Sequence, residues 1–419
     1  MLHGMNPNNQ RQAGMAFIMI TVVIDMLAIG LIIPVLPPLV ASFGGTPSEQ
    51  AFWYGVVAFA FGVSSFFGSP LLGALSDRYG RRPVLLLGFC GLALSFFGTA
   101  LSTALWMLIA VRTVAGGMQA NQAVANAYVA DITPPEDRAR RFGLLGAMTG
   151  LGFILGPVAG GLLGAIDLHL PFFVAGTLAL ANLLYGYYVL PESLPLERRR
   201  AFHWRAANPL RSLQALTQLK GVGPLVAVLA LSGLAQFTLH TVWVLYTTLR
   251  FDWGPLQNGW SLALVGLVYF VVQGFLMGRL LRLFGAARLA MLGLGTSMLA
   301  HLGWALATQG WMMYAVIALN LLVVTIAPAI QSIVSGAAKA SEQGQAMGAV
   351  GGLNSLAMVL APLTGAGLFS LVSDLPPDDW RIGAPFFFCA ALQAVALWLA
   401  WRHFGAQARP AGPHGATHS

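Results

Sequence analysis

The sequence predicts an all-α membrane protein in which twelve transmembrane helices form two six-helix bundles. Three observations predict this fold. Of the 419 residues, 57% are hydrophobic and only 9% are charged, whereas soluble domains carry about 25% charged residues. Apolar segments of about 20 residues, enough to cross a bilayer, recur along the whole chain. A motif of the first half also returns in the second half. This composition excludes the soluble enzyme classes.

The apolar segments divide into two sets of six. The first set forms an N-terminal bundle over residues 1–190, and its spans cover residues 13–39, 51–75, 83–103, 105–130, 141–166 and 171–190. The second forms a C-terminal bundle over residues 222–404, and its spans cover residues 222–249, 257–281, 287–307, 311–336, 346–372 and 384–404. Residues 191–221 are predicted to be a polar cytoplasmic linker that is partly an amphipathic helix, and residues 405–419 a disordered tail.

Two matches at one offset show that the halves repeat one design. The stretch from Gly73 to Pro83 holds one acid and three arginines, and its glycine frame returns 205 residues later from Gly278 to Gly285. The pair Gly156-Pro157 in span 5 has its counterpart at Ala361-Pro362 in span 11, at the same offset. We therefore expect a tight loop between spans 2 and 3, two bundles related by an axis along the membrane normal, and a substrate cavity between them.

The distribution of basic residues predicts the orientation. If both termini are cytoplasmic, only Arg250 and Arg381 of the 22 lysines and arginines lie in outer loops, and Arg112 lies inside a helix. This bias follows the positive-inside rule. The net charge of +8 is therefore interpreted as topology. No basic stripe with interleaved aromatics is present, so nucleic acid is not an expected partner.

The sequence offers no cofactor chemistry. Cys90 and Cys389 lie in apolar runs, and two histidines of the tail, His414 and His418, are a weak candidate for metal binding. No phosphate-binding loop follows a strand, so ATP hydrolysis is not expected. Neither a catalytic triad nor a zinc-ligand spacing is found. We expect no catalytic residues, no metal and no cofactor, with an ion gradient as the energy source.

Asp25 is the one acidic residue placed well inside the membrane, near the middle of span 1. A carboxylate there is costly unless it faces a cavity, binds a proton or pairs with a cation. It is the candidate proton site. The alternative is a structural aspartate that pairs with an arginine or caps broken helix backbone near Gly30 and Pro34.

Arg112 in span 4 is the one basic residue predicted inside the membrane. Its guanidinium stays charged, so it needs partners in carbonyls, an acid or water, and its charge could tune a carboxylate. Proton coupling is one interpretation. The alternative is a packing and topology residue near the cytoplasmic end of the helix.

Polar side chains inside two spans are the candidates for the substrate cavity. In span 4 they are Gln119, Asn121, Gln122 and Asn126, and in span 7 they are Gln236, His240 and Trp243. The three of span 7 share one helical face, which suits an amphipathic organic substrate. Bonding between helices is the alternative for the amides. Tyr246 and Trp253 are expected in an outer aromatic belt, and His301 as a core histidine with its hydrogen bonds satisfied.

Span 5 carries small residues at spacings of four around a proline. The set is Gly152, Gly156, Pro157, Gly160 and Gly161. Such a face lets another helix pack closely, and the Gly-Pro pair in mid-helix favours a hinge. A plain packing motif is the alternative.

These residues resemble the major facilitator superfamily and, within it, the drug:proton antiporters. The stretch from Gly73 to Pro83 matches the superfamily's cytoplasmic signature, and Gly152 to Gly161 matches the span 5 motif of those antiporters. The Arg112 segment is similar to a span 4 motif linked to proton transfer. Asp25 to Pro37 and Thr241 to Leu245 look like the tetracycline-resistance export proteins. The resemblance covers nearly the whole chain.

The resemblance implies alternating access by a monomer in the bacterial inner membrane, with export of a small amphipathic compound against protons. It also implies a cytoplasmic gate. Asp77 would face span 11 near Met347 and Gly348, and Arg81 would pair with Asp131. The gate set is Gly73, Asp77, Arg78, Gly80, Arg81, Arg82 and Asp131; the alternative is that the arginines only anchor the topology.

The chain departs from the tetracycline exporters at three positions. Where those proteins carry further acids in spans 3 and 9 and a histidine in span 8, it has Ser95, Ser297 and Tyr269. The resemblance therefore implies a tetracycline-exporter-like antiporter of unassigned substrate. Uptake or facilitated transport without protons, and a receptor that moves nothing, are the alternatives.

Overall fold

A computed structural model describes residues 7–119, 121–134, 137–199, 201–202, 223–337 and 343–407. Every regular element in these ranges is helical. The amphipathic helix predicted for the linker and the disordered tail fall mostly outside the described residues. The last helix continues to Gln407, three residues past the predicted end of the C-terminal bundle.

The first half contains six helices in the predicted order. They are α1 (Pro7–Ile32, continued after a turn by Leu36–Ala41), α2 (Pro47–Tyr79), α3 (Arg81–Ala100), α4 (Leu105–Gly117 and Asn121–Ile132), α5 (Arg138–Gly164) and α6 (Leu170–Val189).

The second half repeats this order. It comprises α7 (Gly223–Phe251), α8 (Pro255–Val271, running on to residue 284), α9 (286–305), α10 (Gly310–Leu319, Leu321–Thr325 and Ile326–Ala337), α11 (Gln343–Ser370) and α12 (Ala384–Gln407). Eight described helices are long and apolar enough to cross a membrane, or nine with the bent α10 as one span. One of these is the 51-residue run Pro255–Ala305, which divides at Gly285 into two spans. The helices α1 and α4 consist of shorter apolar segments and add one span each. The described helices therefore accommodate twelve spans.

The repeat is visible in the backbone. Gly80 has φ 107° and ψ 161°, and Gly285, at the same place in the second half, has φ 70° and ψ 160°. Pro157 and Pro362 both lie inside helices. The predicted loop between spans 2 and 3 is wrong in extent, since α2 runs to Tyr79 and α3 begins at Arg81. Charged side chains at these helix ends extend to water, so the helices need not stop at the apolar boundary.

The fold has two sides. We call the side that holds the first and last described residues and the breaks at Gly80 and Gly285 the terminal side. The side that holds residues 42–46, 165–169, 252–254 and 371–379 is the opposite side. The core lies between the helices of each half, and the halves meet along α2 with α11 and along α5 with α8.

Two helices at corresponding positions of the halves are broken. In α4 the helix ends at Gly117 and restarts at Asn121. In α10 the helix ends at Leu319, and a bend of 45° separates it from the segment that follows. Broken helices at matching positions of two repeats mark the binding region of transporters, because irregular backbone at this depth must line a cavity or be buried in protein.

Gly80→Ala is expected to destabilise the protein by about 1–3 kcal/mol, because φ 107° disfavours an L side chain. A Cβ there would also overlap the carboxylate of Glu192. The measurement is thermal unfolding in detergent. Gly73→Ala is the control, since no atom of the described residues lies within 4 Å of its Cβ position, and it should unfold like the wild type. Equal stability of the two variants would contradict this account of the break.

Candidate functional site

A cavity of about 800 Å³ lies between α5 and the helices of the second half. Its wall is drawn from α5, α7, α8, α9, α10 and α11. This volume falls in the range of about 300–1,000 Å³ that is typical of sites for small molecules. The cavity thus involves both halves, as the sequence predicts, but most of its wall belongs to the second half.

The predicted face of α7 lies on this cavity. Gln236, His240 and Trp243 are all part of its wall. Gln236 Nε2 and His240 Nε2 lie 3.0 Å apart within hydrogen-bond distance. The indole N–H of Trp243 donates to Ser261 Oγ on α8 at 3.0 Å. The polar pair therefore faces the cavity, whereas the Trp243 N–H is satisfied inside the protein.

Aromatic side chains close the cavity toward the opposite side. The rings of Trp243 and Trp304 meet edge to face with centroids 5.4 Å apart, and both side chains are buried. Behind them, Tyr246 is fully buried and donates its hydroxyl to the carbonyl of Trp304. The predicted aromatic belt is therefore wrong for Tyr246 and for Trp253, which is 8% exposed, because both pack against protein.

His301 and Asn320, which the sequence analysis did not place in the cavity, belong to its wall. The expectation of a satisfied core histidine is only half right. His301 Nδ1 bonds the carbonyl of Ser297 at 2.6 Å, but Nε2 has no partner among the described residues. A polar residue inside an apolar span was the signal for both sites.

The glycines of α5 contact two different helices. A Cβ built on Gly152 would lie 2.6 Å from Cβ of Met26, and one built on Gly156 would lie 2.7 Å from the Cα of Gly30, both on α1. Gly160 similarly meets the backbone of α1. A Cβ on Gly161, by contrast, would lie 2.7 Å from the carbonyl oxygen of Pro255 on α8. The face formed by Gly152, Gly156 and Gly160 therefore packs α5 against its own half, whereas Gly161 packs it against the other half.

A second contact between the halves joins α2 to α11 on the opposite side. Gly55 lies against Ala366, and Gly62 against the backbone of Met358. Ser48 completes this contact, because its N–H donates to Asp374 Oδ1 at 3.2 Å and its hydroxyl to the carbonyl of Ser370 at 2.7 Å. Together with the α5–α8 contact, these bonds close the opposite side of the molecule.

The described residues of the terminal side are less closely packed. None of their atoms lies within 4 Å of the Cβ positions of Gly73, Gly146, Gly150 and Gly351, and Gly146 and Gly150 are part of the cavity wall. Gly146 lies about two turns from the start of α5 on this side. The cavity therefore extends toward the terminal side, while the opposite side is closed.

Arg81 joins three elements on the terminal side. Its guanidinium lies 2.6 Å from Asp77 Oδ1 on α2 and 3.1 Å from Asp131 Oδ2 on α4. It also donates to Ser76 Oγ at 2.6 Å. The Arg81 side chain is 11% exposed, whereas that of Asp77 is 43% exposed. The pairing of Arg81 with Asp131 is the one that the resemblance implies.

The end of α6 and the residues that follow it also bind gate residues. The backbone N–H groups of Arg81 and Arg82 donate to the carboxylate of Glu192 at 2.8 and 3.3 Å, which places a negative charge at the start of α3. Arg82 also donates to the carbonyl of Tyr187 at 2.7 Å, and Arg78 lies over the Tyr79 ring. The predicted partners of Asp77 at residues 347 and 348 lie outside the described side chains.

The two predicted proton-coupling residues lie in the first half. Asp25 is 7% exposed in α1. Arg112 points to α2, with its guanidinium carbon 5.2 Å from the centroid of Phe61. Arg112 is seven residues from the start of α4 on the opposite side. The alternative that placed it near the cytoplasmic end of its helix is therefore wrong within the predicted topology.

The predicted amides of α4 are not among the described cavity wall. Gln119 and Asn126 are both half-buried on the two sides of the α4 break. Asn121 and Gln122 begin the second segment of α4, and their side chains lie outside the described ones. Among the described residues, no group of three or more histidines, cysteines or acids could hold a metal ion.

Comparisons with known proteins all match this chain to membrane transporters. A model of the Major Facilitator Superfamily matches residues 18–272 and 225–418. The tetracycline resistance protein, class C, of Escherichia coli is 37% identical over 90% of this chain and 93% of that protein. The crystal structure of the human organic anion transporter MFSD10 (TETRAN) superposes with a TM-score of 0.70 at 26% identity, covering 93% of this chain and 99% of that one. The nucleoside transporter NupG has the same fold, with a TM-score of 0.77 at 13% identity over 93% and 99% of the two chains.

Proposed function

The chain belongs to the major facilitator superfamily, and on that premise we propose that it is a proton-coupled antiporter that exports a small amphipathic compound. It is a multi-pass membrane transporter that resembles the tetracycline efflux proteins. In the proposal it works as a monomer in a bacterial inner membrane, with the terminal side facing the cytoplasm. Asp25 binds and releases the proton, and the positive charge of Arg112 alters the proton affinity of the Asp25 carboxylate.

The observation that carries the proposal is the cavity of about 800 Å³ between α5 and the helices of the second half. Its wall combines aromatic rings with a few polar groups, among them Gln236 and His240, which suits an amphipathic organic molecule. Tyr269, which stands where the tetracycline exporters would carry a histidine, also lies on this wall. The substrate class is therefore argued from this wall, and tetracycline is one candidate.

The contacts between the halves support alternating access. Closure on the opposite side corresponds to a state that faces the cytoplasm in the proposed orientation. Transport then requires a second state, in which α5 and α8 part while the terminal side closes. The cluster around Arg81, with Asp77 and Asp131, is the proposed lock of that second state, because Asp77 is exposed enough to meet a partner from the other half. The glycines of α5 and Pro157 remain the proposed hinge.

Antibiotic susceptibility tests the proposal directly. An efflux-deficient bacterium expressing the wild-type chain is expected to survive higher concentrations of at least one amphipathic compound from a panel that includes tetracycline. The matched strain expresses Asp77→Asn at the same level in the membrane and should lose most of this resistance. Increased sensitivity would indicate uptake, and unchanged sensitivity to every compound would indicate a receptor or a metabolite carrier. Either outcome would overturn drug export.

A further inference from the structure

Two polar groups of the cavity wall, one on α9 and one on α10, each have a buried side-chain atom without a hydrogen-bond partner among the described residues. The first is His301, which is fully buried. Its Nδ1 lies 2.6 Å from the carbonyl oxygen of Ser297. Because a carbonyl only accepts, Nδ1 carries the proton, and the lone pair of the neutral ring is on Nε2. Nε2 is buried and has no partner among the described residues.

The second group is Asn320. Its side-chain Oδ1 is buried without a partner among the described residues, and the residue is 5% exposed. Asn320 lies at the break of α10, with φ −86° and ψ 47° between Leu319 and the helical turn Leu321–Thr325. A buried acceptor without a hydrogen bond is costly, so two in one cavity wall call for a common explanation.

The two groups lie between the same pair of contacts joining α9 to α10. Helices α9 and α10 run antiparallel, and a Cβ on Gly293 would lie 2.8 Å from the carbonyl oxygen of Leu322. Nearer the opposite side, a Cβ on Gly303 would lie 3.2 Å from Val316. His301 and Asn320 both fall between these two contacts. Both are part of the wall of the same cavity.

Two tryptophans and a glutamine of α8 fix this arrangement. Trp304 donates its indole N–H to the carbonyl of Met313 at 3.3 Å, and Trp243 donates to Ser261. Both indoles therefore offer only carbon surface to a ligand. The break of α10 is braced by α8, because Gln273 donates to the carbonyl of Val324 at 3.0 Å. Gln273 itself lies in a π-helical turn of the kind often found at functional sites.

We propose that His301 Nε2 and Asn320 Oδ1 form a subsite that accepts hydrogen bonds from two donor groups of the substrate. The ligand class is an amphipathic aromatic compound with hydroxyl or amide donors at one edge, whose apolar body packs against Trp243 and Trp304. The subsite rests on the proposed function in one respect, that the cavity is where the substrate binds. It selects for donors, because a ligand without them would leave both acceptors buried and unpaired.

Calorimetric titration of the purified full chain in detergent tests this subsite with two matched probes. These are 2,3-dihydroxynaphthalene, which has two adjacent donors, and its dimethyl ether, which has none. The wild type should bind the diol about 10- to 100-fold more tightly, as two hydrogen bonds imply. His301→Phe and Asn320→Leu should each remove most of this preference. The conservative variants His301→Gln and Asn320→Asp should keep it, because each retains an acceptor.

Gln331→Leu is the control on the cavity wall, since it removes a polar group away from the subsite, and its preference for the diol should equal that of the wild type. Thermal unfolding of every variant separates loss of binding from loss of fold. Equal affinities of the wild type for both probes, or no saturable binding of the diol, would overturn the subsite. These titrations need no proton gradient, so drug export can fail while the subsite stands, and resistance with equal probe affinities would remove only the subsite.

Discussion

Asp25→Asn is expected to abolish export driven by a proton gradient while leaving folded protein in the membrane. The asparagine has nearly the same shape, but it cannot bind and release a proton. The site is 7% exposed within α1, so an ionised carboxylate is costly there, and the amide of asparagine keeps an oxygen that can accept hydrogen bonds. The expected fall in the proton-driven rate is about tenfold or more. The measurement is substrate flux in liposomes with and without a pH gradient.

Two controls make this result specific. Asp25→Glu keeps an ionisable group and should retain part of the proton-driven flux. Exchange of substrate across the membrane without any gradient should persist in Asp25→Asn, because exchange requires no net proton movement. Proton-driven export at the wild-type rate in Asp25→Asn would show that another group carries the proton, and a loss of exchange as well would assign Asp25 to the structure of the binding site.

Gly161→Leu is expected to stop transport by preventing closure of the opposite side. A Cβ at this position would lie 2.7 Å from the carbonyl oxygen of Pro255 and 3.1 Å from the Cα of Gly259. Both partners belong to the other half, so the added side chain forces α5 and α8 apart without disturbing either half internally. Overpacking of this kind destabilises the closed contact by about 1–3 kcal/mol. The population should therefore shift to the state that is open on the opposite side.

Thiol labelling measures this shift. With Cys90 and Cys389 replaced by alanine, a cysteine at Ala147 in the cavity wall reports access for an impermeant maleimide. In the wild-type background it should react from the terminal side, and with Gly161→Leu from the opposite side. Gly367→Leu is the matched control, since within the described part of the chain no atom lies within 4 Å of its Cβ position. Unchanged labelling and transport in Gly161→Leu would contradict the assignment of the α5–α8 contact as a gate.

Much of the fold could be predicted because it follows from local sequence patterns that repeat along the chain. The offset that links Gly80 to Gly285 predicted a repeated glycine frame, and both glycines have a positive φ, of 107° and 70°. The shared face of Gln236, His240 and Trp243 followed from helical periodicity alone, and all three lie on the cavity. Such features depend on residues that are near one another in sequence.

The remainder depends on contacts between distant residues. The break at Asn320 lies in an apolar run with neither glycine nor proline at the break itself, and it is braced by Gln273 from another helix. The position of His301 in the cavity wall also follows from how α9 packs against α10. Similarly, the extent of α2 and α3 around Gly80 could not be read from hydropathy, because Glu192 beyond α6 caps the start of α3.

Coupling between substrate and protons is the central claim, and one measurement tests it most directly. The purified chain is placed in liposomes that are acidic inside, with a pH-sensitive dye in the lumen and, outside, the compound that gives the strongest resistance, or tetracycline if none does. The account predicts uptake of the compound together with alkalinisation of the lumen, and loss of both when a protonophore dissipates the gradient. Uptake at the same rate with and without the gradient, and without proton movement, would contradict it.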